Sequence, residues 1–235
     1  MLSPCRGPVD ILHGVPRNGG MCSRIDQSAS PVGGFLGALD LPPPRDYRAS
    51  GNVRPTDPVL AVRTADTMDV LFRMEAVALR WGFKGHTNAP IINARAETAH
   101  YLPMFREAFR HQRCIVPVAR FYEWTAAPCE PGEPDLLGDP APAAARARKQ
   151  PHAFAMPDGA AYALAGLWRA DRLVILTVAA SPAVAAYHDR MPAILPPEHV
   201  RQWLSLDHSQ GEFIHPLLVP FEGPLVAAPV AVFPS

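Results

Sequence analysis

A cysteine directly after a methionine, at Met21-Cys22, is the feature of this sequence that could do the most distinctive chemistry. If translation begins at Met21, removal of the methionine would leave Cys22 with a free thiol and a free α-amine on adjacent carbons. Their reference pKa values of about 8.5 and about 7.7–8.0 leave both groups partly nucleophilic near neutral pH. Such a 1,2-aminothiol reacts with an aldehyde: the amine forms a Schiff base, the thiol adds to it, and a five-membered thiazolidine ring closes. The pattern therefore predicts a covalent nucleophile at Cys22.

Proton-transfer groups for this reaction occur at two distant points of the sequence, Glu123 and His188. Glu123 lies in the aromatic run Phe-Tyr-Glu-Trp, where burial would favour its protonated form. His188 follows a predicted helix and begins the run His-Asp-Arg-Met-Pro. Schiff-base formation moves protons to and from a departing water, which a carboxyl group and an imidazole can do. Taken singly, Glu123 could be a solvent-exposed strand residue and His188 a helix C-cap.

Length and composition narrow the class of protein. With 235 residues, of which 48% are hydrophobic, the chain can bury a substantial core and is predicted to form one domain. Its formal net charge of zero excludes a generally basic nucleic-acid coat, so any contact with DNA must come from a local patch. No apolar run approaches the roughly 20 residues of a membrane span, and no secretory leader is recognisable. We therefore expect a cytoplasmic monomer that does not bind membranes.

The cysteines show neither C-x-x-C nor another spacing typical of metal ligands. We expect no disulfide framework, no metal and no cofactor. The four cysteines are Cys5, Cys22, Cys114 and Cys129.

The elements that must position these residues are mostly strands. A helix is predicted from Glu97 to Gln112, where apolar residues recur at helical spacing, with acidic residues early and basic residues late. Two shorter helices should begin at Ser181-Pro182 and near Pro197-Glu198. Because strands and helices do not alternate regularly, the predicted class is α+β rather than a doubly wound α/β sheet. Apolar runs predict strands near residues 59–62, 76–81, 114–118, 162–168 and 173–178.

Two segments are predicted to lie outside the packed domain. Residues 1–20 carry three prolines and four glycines without hydrophobic periodicity, and we expect an irregular leader that is absent from the mature protein. Residues 126–150 are rich in Pro, Gly and Ala, which is typical of a flexible surface insertion. The predicted domain is therefore 21–235, interrupted at about 126–150.

Eight short motifs follow one another along residues 22 to 192. They are Cys22-Ser23-Arg24, Gly51-Asn52-Val53-Arg54-Pro55, Arg80-Trp81-Gly82, Asn93-Ala94-Arg95-Ala96-Glu97-Thr98, Arg113-Cys114-Ile115-Val116-Pro117, Phe121-Tyr122-Glu123-Trp124, Ala165-Gly166-Leu167-Trp168 and His188-Asp189-Arg190-Met191-Pro192. In this order they resemble the SOS response-associated peptidases, proteins that crosslink covalently to abasic sites in single-stranded DNA through a cysteine placed directly after the initiator methionine. The resemblance extends to about Leu204.

The resemblance implies both a fold and a function. The fold would be α+β, a single domain with a mixed, barrel-like β core flanked by helices. The protein would bind single-stranded DNA that contains abasic sites and form a thiazolidine crosslink, which shields the lesion during the response to DNA damage. An abasic deoxyribose offers the required aldehyde once its ring opens. The family name suggests a hydrolase, and the crosslinking chemistry suggests a lyase-like reaction.

The resemblance also implies roles for individual residues. Cys22 would be the crosslinking nucleophile, Glu123 would assist ring opening, and His188 would assist Schiff-base formation and its reversal. Asn93 would hydrogen-bond the opened sugar or its phosphate. Arg24 and Arg95 would bind flanking phosphates, and Trp81 would stack on a neighbouring base. The residues implied to bind DNA are Arg24, Asn52, Trp81, Arg95 and Arg190.

Several positions depart from the family pattern. Ser23 replaces a glycine beside the nucleophile, Gly51 an aromatic residue, Arg54 a small residue, and Arg120 the glycine before Phe-Tyr-Glu-Trp. Residues 82–92 form a shorter stretch than usual, and 218–235 lacks the expected polar ending. These departures predict intact chemistry in a modified DNA groove.

Two other functions stay open at this level. The thiol could attack an amide, as in an N-terminal-cysteine peptidase that removes its own leader, although no oxyanion hole can be recognised. Alternatively, Met21 is internal, Cys22 is inert, and the chain is a non-catalytic module that binds single-stranded DNA. An abasic oligonucleotide and a peptide substrate would separate the three functions.

Overall fold

The computed structural model describes residues 23–65, 73–85, 87–126, 149–205 and 215–233. Cys22, the predicted leader 1–20 and residues 127–148 of the predicted insertion lie outside these ranges. The helices are α1 Ala29–Ala38, α2 Ala96–Ala99, α3 Arg106–His111, α4 Pro182–Ala185 and α5 Pro197–Leu204. The strands are β1 Ile25–Gln27, β2 Ser50–Val53, β3 Pro58–Thr64, β4 Met74–Trp81, β5 Asn93–Arg95, β6 Arg113–Val118, β7 Arg120–Ala126, β8 Lys149–Ala155, β9 Tyr162–Arg169, β10 Arg172–Ala179, β11 Arg190–Pro192, β12 Ile194–Leu195 and β13 Val226–Pro229.

The strands form two sheets. Sheet A has the order β13-β8-β7-β1-β2, with antiparallel pairing throughout. Sheet B has the order β11-β10-β4-β3-β6-β9-β12, and β5 adds to β10 in parallel. The β9–β10 hairpin joins strands of sheet B into a ring. The ring is not a true barrel, because β10 pairs with β4 at only two positions before β5 becomes its partner.

One hydrophobic cluster contains residues of both sheets. Ile25 and Phe121 of sheet A and Leu60, Ile115 and Leu164 of sheet B all have 0% exposure. Long apolar runs such as those of β6, β9 and β10 are buried on both faces, which explains why the sequence identified them. The α+β class, with a mixed β core flanked by helices, is confirmed.

The predicted helices differ from the structure in one place. The segment Glu97 to Gln112 forms two short helices, α2 and α3, rather than one. Pro103 lies between them and has no backbone N–H to donate, so the helix cannot continue through it. The helices predicted at Ser181-Pro182 and Pro197 are confirmed as α4 and α5. Across the described ranges, no helix combines the length and the apolar character that crossing a membrane requires.

The predicted insertion is shorter than expected. Ala126 and Lys149 are paired strand residues at the ends of β7 and β8, so the two ends of the 126–150 segment belong to sheet A. The sequence missed β8 because its Lys-Gln-Pro-His start carries no apolar run.

The side chain of Gln27 connects the two sheets. Leu60 and Pro117 lie opposite each other when the β3–β6 register is extended, but Pro117 has no backbone N–H to donate to Leu60. The fully buried Gln27 amide takes this place: its Nε2 donates to the Leu60 carbonyl at 2.9 Å and to the Pro117 carbonyl at 2.8 Å. Its Oε1 accepts the Leu60 N–H at 2.9 Å. Strand β1 is thereby fixed against sheet B.

Replacing Gln27 with methionine, which has a similar length but no amide, should therefore destabilise the fold. It would leave buried backbone groups without partners, each at a cost of about 1–3 kcal/mol, so we expect a loss of about 3 kcal/mol or more in the free energy of unfolding. Urea denaturation measures this loss. The control is Gln202→Met on α5, a half-buried position that should change stability by less than about 0.5 kcal/mol. A similar small change for Gln27→Met would contradict the bridging role.

Candidate functional site

Glu123 lies on the inner face of sheet A, close to the point where the chain enters strand β1. Alternation along β7 puts Glu123 on the same face as the core residue Phe121, and only 3% of Glu123 is exposed. Strand β1 runs antiparallel to β7, and the carbonyl of Arg24 accepts the Tyr122 N–H at 3.1 Å. The polypeptide just after Cys22 therefore runs alongside the strand that carries Glu123.

His188 follows α4 and is held through its Nδ1 atom. The backbone N–H of Arg190 donates to Nδ1 at 3.0 Å, and Asp189 Oδ1 lies 2.8 Å from the same nitrogen. Because a backbone N–H can only donate, the neutral ring accepts it at Nδ1 and carries its proton on Nε2. Once protonated, the ring can donate from Nδ1 to Asp189.

Tyr187 links His188 to sheet A. Its ring lies 4.8 Å from the ring of His152 and 5.0 Å from that of Phe154 (centroid distances), and both residues belong to β8. His152 is directly opposite Glu123 in the β7–β8 ladder. The segment that carries His188 therefore packs, through Tyr187, against the strand that pairs with the Glu123 strand.

Asn93 and Arg95 lie on β5, beside the central strand β10. Asn93 pairs with Ile175 and Arg95 with Thr177 in the parallel ladder. Asn93 is half-buried, whereas Arg95 is exposed. Arg24 and Arg95 are the predicted phosphate-binding arginines. Of the two, Arg95 is the one with an exposed side chain next to β10.

Arg190 is held by protein partners instead of being presented to DNA. Its guanidinium donates to both carboxylate oxygens of Glu97, at 2.6 and 2.8 Å, and to the carbonyl of Thr177 at 2.6 Å. Only 14% of its side chain is exposed. We therefore correct the expectation for Arg190: it ties β11 and β10 to α2, and a phosphate would have to compete with Glu97 for it.

Arg24 and Asn52 lie on the opposite face of sheet A from Glu123. Arg24 donates to Asn52 Oδ1 at 2.6 Å, and its guanidinium carbon lies 4.5 Å from the ring centroid of Phe233. Burial and the nearby charge of Arg54 lower the pKa of Arg24, whereas Asp57 and Tyr122 raise it. The sequence departure Arg54 thus adds a second positive charge next to Arg24.

Trp81 does not fit the role of a base-stacking platform. Its side chain is fully buried, and its Nε1–H donates to the Ile92 carbonyl at 3.0 Å. The next residue, Gly82, has φ +113°, and a Cβ there would meet Pro90 at 2.7 Å. The Arg-Trp-Gly motif therefore shapes the short loop that leads to Asn93. Trp124 is better placed than Trp81 to stack on a base, because it is only half-buried. Its ring centroid lies 6.0 Å from the Arg24 guanidinium carbon.

The departure at Arg120 has a structural explanation. Arg120 pairs with Asp26 across β1 and β7, and its Nε lies 3.0 Å from Asp26 Oδ2. Asp26 is fully buried, and a buried carboxylate requires a cationic or hydrogen-bonding partner. Arg120 supplies that charge.

Two residues near Glu123 and His188 were not identified from the sequence, His152 and Tyr187. The alternation of His152 and Phe154 opposite Glu123 and Phe121 is the signal that could have identified β8 as the partner of β7. Cys22 lies outside the described residues. Within the described ranges, no group of three or more His, Cys, Asp or Glu side chains is arranged to hold a metal ion.

Comparison with known proteins shows the family of this chain. The family described as SOS response associated peptidase (SRAP) matches residues 21–232. The chain belongs to the SRAP family. It is 28% identical over 195 residues to the abasic site processing protein YoaM of Bacillus subtilis, covering 77% of this chain and 76% of YoaM. It is also 28% identical over 211 residues to the abasic site processing protein YedK of Escherichia coli, covering 82% and 83% of the two chains.

Solved structures agree with the SRAP fold. A crystal structure of a Bordetella bronchiseptica protein superposes with a TM-score of 0.66 at 26% identity, covering 90% of this chain and all of that one. A Bacteroides thetaiotaomicron protein gives the same TM-score, 0.66, at 20% identity, covering 89% and 92% of the chains. The second likeness supports the fold alone.

The Glu97–Arg190 pair predicts an acid-dependent loss of stability. The hydrogen bond from Arg190 is the main cause that lowers the pKa of Glu97 below 4.5. Because the unfolded chain then takes up the proton first, the stabilisation is complete above pH 4.5 and is lost as the pH falls through the lower folded-state pKa. With 52% of the Glu97 side chain exposed, the effect should stay below about 1 kcal/mol.

The measurement is denaturation between neutral and acidic pH. Glu97→Gln should flatten the acid limb of the stability curve relative to the wild type. The matched control is Glu107→Gln, whose contacts with Arg106 and Arg110 are longer, at 3.5 and 3.8 Å. Identical acid limbs for wild type and Glu97→Gln would contradict this assignment.

Proposed function

We propose that this protein captures abasic sites in single-stranded DNA by forming a thiazolidine crosslink through Cys22. The observation that carries the proposal is the course of β1: the Arg24 carbonyl bonds to the Tyr122 N–H at 3.1 Å, one residue from the buried Glu123. Cys22 is only two residues before Arg24, and consecutive Cα atoms are about 3.8 Å apart. In a chain that starts at Cys22, this short link to Arg24 would let the aminothiol reach the buried carboxyl group. Relatives named abasic site processing proteins support the abasic site as the substrate.

In the proposed reaction the atoms balance with the loss of one water. The sugar ring opens to an aldehyde, the Cys22 amine attacks its carbonyl carbon, and water leaves as the Schiff base forms. The thiol then adds to the same carbon and transfers its proton to the nitrogen, which closes the ring. Glu123 serves ring opening and His188 serves the loss of water, the steps in which an oxygen must gain or lose a proton.

The DNA strand would cross the end of sheet A near the start of β1. Arg24 and Arg54, on the outer face, and Arg95, on β5, would bind phosphates on the two sides of the lesion. Trp124 and Phe233 frame Arg24, at 6.0 and 4.5 Å from its guanidinium, and offer aromatic surface for a base. This local patch supplies the DNA affinity that a chain of zero net charge lacks overall.

The first test concerns the nucleophile. Protein that starts at Cys22 should form a denaturation-resistant adduct with single-stranded abasic DNA, and much less with intact or duplex DNA. Cys22→Ala should abolish the adduct, whereas Cys114→Ala, at a fully buried thiol, should not. Protein that keeps residues 1–21 should not form the ring, because the Cys22 nitrogen is then an amide. An undiminished adduct with Cys22→Ala would assign the chemistry to another nucleophile, and cleavage of a peptide substrate instead would favour the peptidase alternative.

The second test concerns the acid/base pair. Glu123→Gln and His188→Ala should each slow adduct formation by roughly 10²-fold, because each removes a group that transfers a proton. Affinity for an unreactive abasic analogue should stay within a few fold of wild type in a filter-binding measurement. The control is Glu75→Gln, whose carboxylate binds Arg63 in sheet B at 2.7 Å. Wild-type rates for both variants would leave Glu123 and His188 with structural roles only.

A further inference from the structure

We propose that His152 is a positioning residue that relays protons between the buried carboxyl group of Glu123 and solvent. This inference rests on the function proposed above. It follows from the β7–β8 register, in which Glu123 and His152 are directly opposite each other. Directly opposed residues of an antiparallel pair point to the same face, with Cβ atoms about 4.5–5.5 Å apart.

The two residues differ in their access to water. Glu123 is only 3% exposed, whereas His152 is half-buried. A carboxyl group that gives and takes protons during the reaction must be restored to its starting state after each transfer. A neighbour that faces both Glu123 and solvent can do this, and the opposed position on β8 provides it.

The hydrogen bond that His152 makes through Nδ1 leaves its Nε2 available to accept a proton. Its Nδ1 lies 3.2 Å from the Gln150 carbonyl, which can only accept a hydrogen bond. The neutral ring therefore carries its proton on Nδ1 and keeps Nε2 as an acceptor. His188 has the opposite arrangement, since its Nδ1 accepts from the Arg190 N–H at 3.0 Å. Nε2 of His152 is thus prepared to accept a proton.

Tyr187 holds the His152 ring in place. The two ring centroids are 4.8 Å apart, and the Tyr187 ring also contacts Phe154 at 5.0 Å. Because His188 directly follows Tyr187 in the chain, the contact between the Tyr187 and His152 rings also sets the spacing between the two histidines. His152 therefore lies between Glu123 and the segment that carries His188.

The proton balance of ring opening defines the step. The Glu123 carboxylate takes the proton of the anomeric hydroxyl as the ring C–O bond breaks and the aldehyde forms, and the ring oxygen takes a proton from water or from the imidazolium form of His188. His152 Nε2 then accepts the proton from Glu123 and passes it to water, which restores the carboxylate. No electron transfer is involved, and no other reactant is needed.

The test compares His152 variants of protein that starts at Cys22. His152→Phe keeps an aromatic ring against Tyr187 but removes the relay, so adduct formation should slow by about 10-fold or more while affinity for an unreactive abasic analogue stays unchanged. In His152→Ala, added imidazole should restore the rate in proportion to its concentration, a rescue that a structural role would not produce. The control His199→Phe, on the half-buried side of α5, should react at the wild-type rate.

The outcomes separate this inference from the function beneath it. If wild type forms no adduct, the proposed function fails. If wild type reacts and His152→Phe reacts equally fast, the relay alone is refuted. A slow His152→Ala that imidazole does not rescue, or a loss of rate matched by a loss of affinity, likewise refutes it.

Discussion

The amide of Gln27 is the interaction on which the candidate site depends. Pro117 interrupts the β3–β6 ladder because it has no N–H, and the Gln27 side chain fills the gap with three hydrogen bonds of 2.8–2.9 Å to Leu60 and Pro117. A glutamine amide can both donate and accept, so it replaces the missing backbone group on both sides. As a result, β1 is fixed against sheet B in one register. The backbone that follows Cys22 continues directly into β1, so its position is fixed as well.

A second constraint is the separation of the buried Glu123 from the Arg24 guanidinium across sheet A. Alternation along β7 puts Glu123 on the buried face and Tyr122 on the face that also carries Arg24. Burial keeps water away from Glu123, whereas the opposite face carries Arg24, which the proposed function assigns to phosphate binding. In the proposed function, the nucleophile Cys22 precedes β1 and bonds to a sugar whose phosphates lie outside.

The sequence predicted the buried strands, but it failed where tertiary contacts decide. Strand β10 is a continuous apolar run and was recognisable, while α1 contains Pro31 and three glycines and forms because Val32 and Leu36 are buried. Trp81 was assigned to DNA because its motif gives no measure of burial. Arg190 was assigned to DNA because its partner Glu97 is distant in sequence, and no local pattern reveals a pair separated by 93 residues.

The mass of the adduct tests the central claim most directly. Protein that starts at Cys22 would be mixed with a single-stranded oligonucleotide containing one abasic site, treated with borohydride, and measured intact. Thiazolidine capture predicts the sum of the two masses less one water, unchanged by borohydride, because a closed thiazolidine has no imine left to reduce. A product that gains two hydrogens would be a Schiff base without ring closure, and a product that retains the water would be a simple thiol adduct. Either would contradict capture by the paired amine and thiol of Cys22.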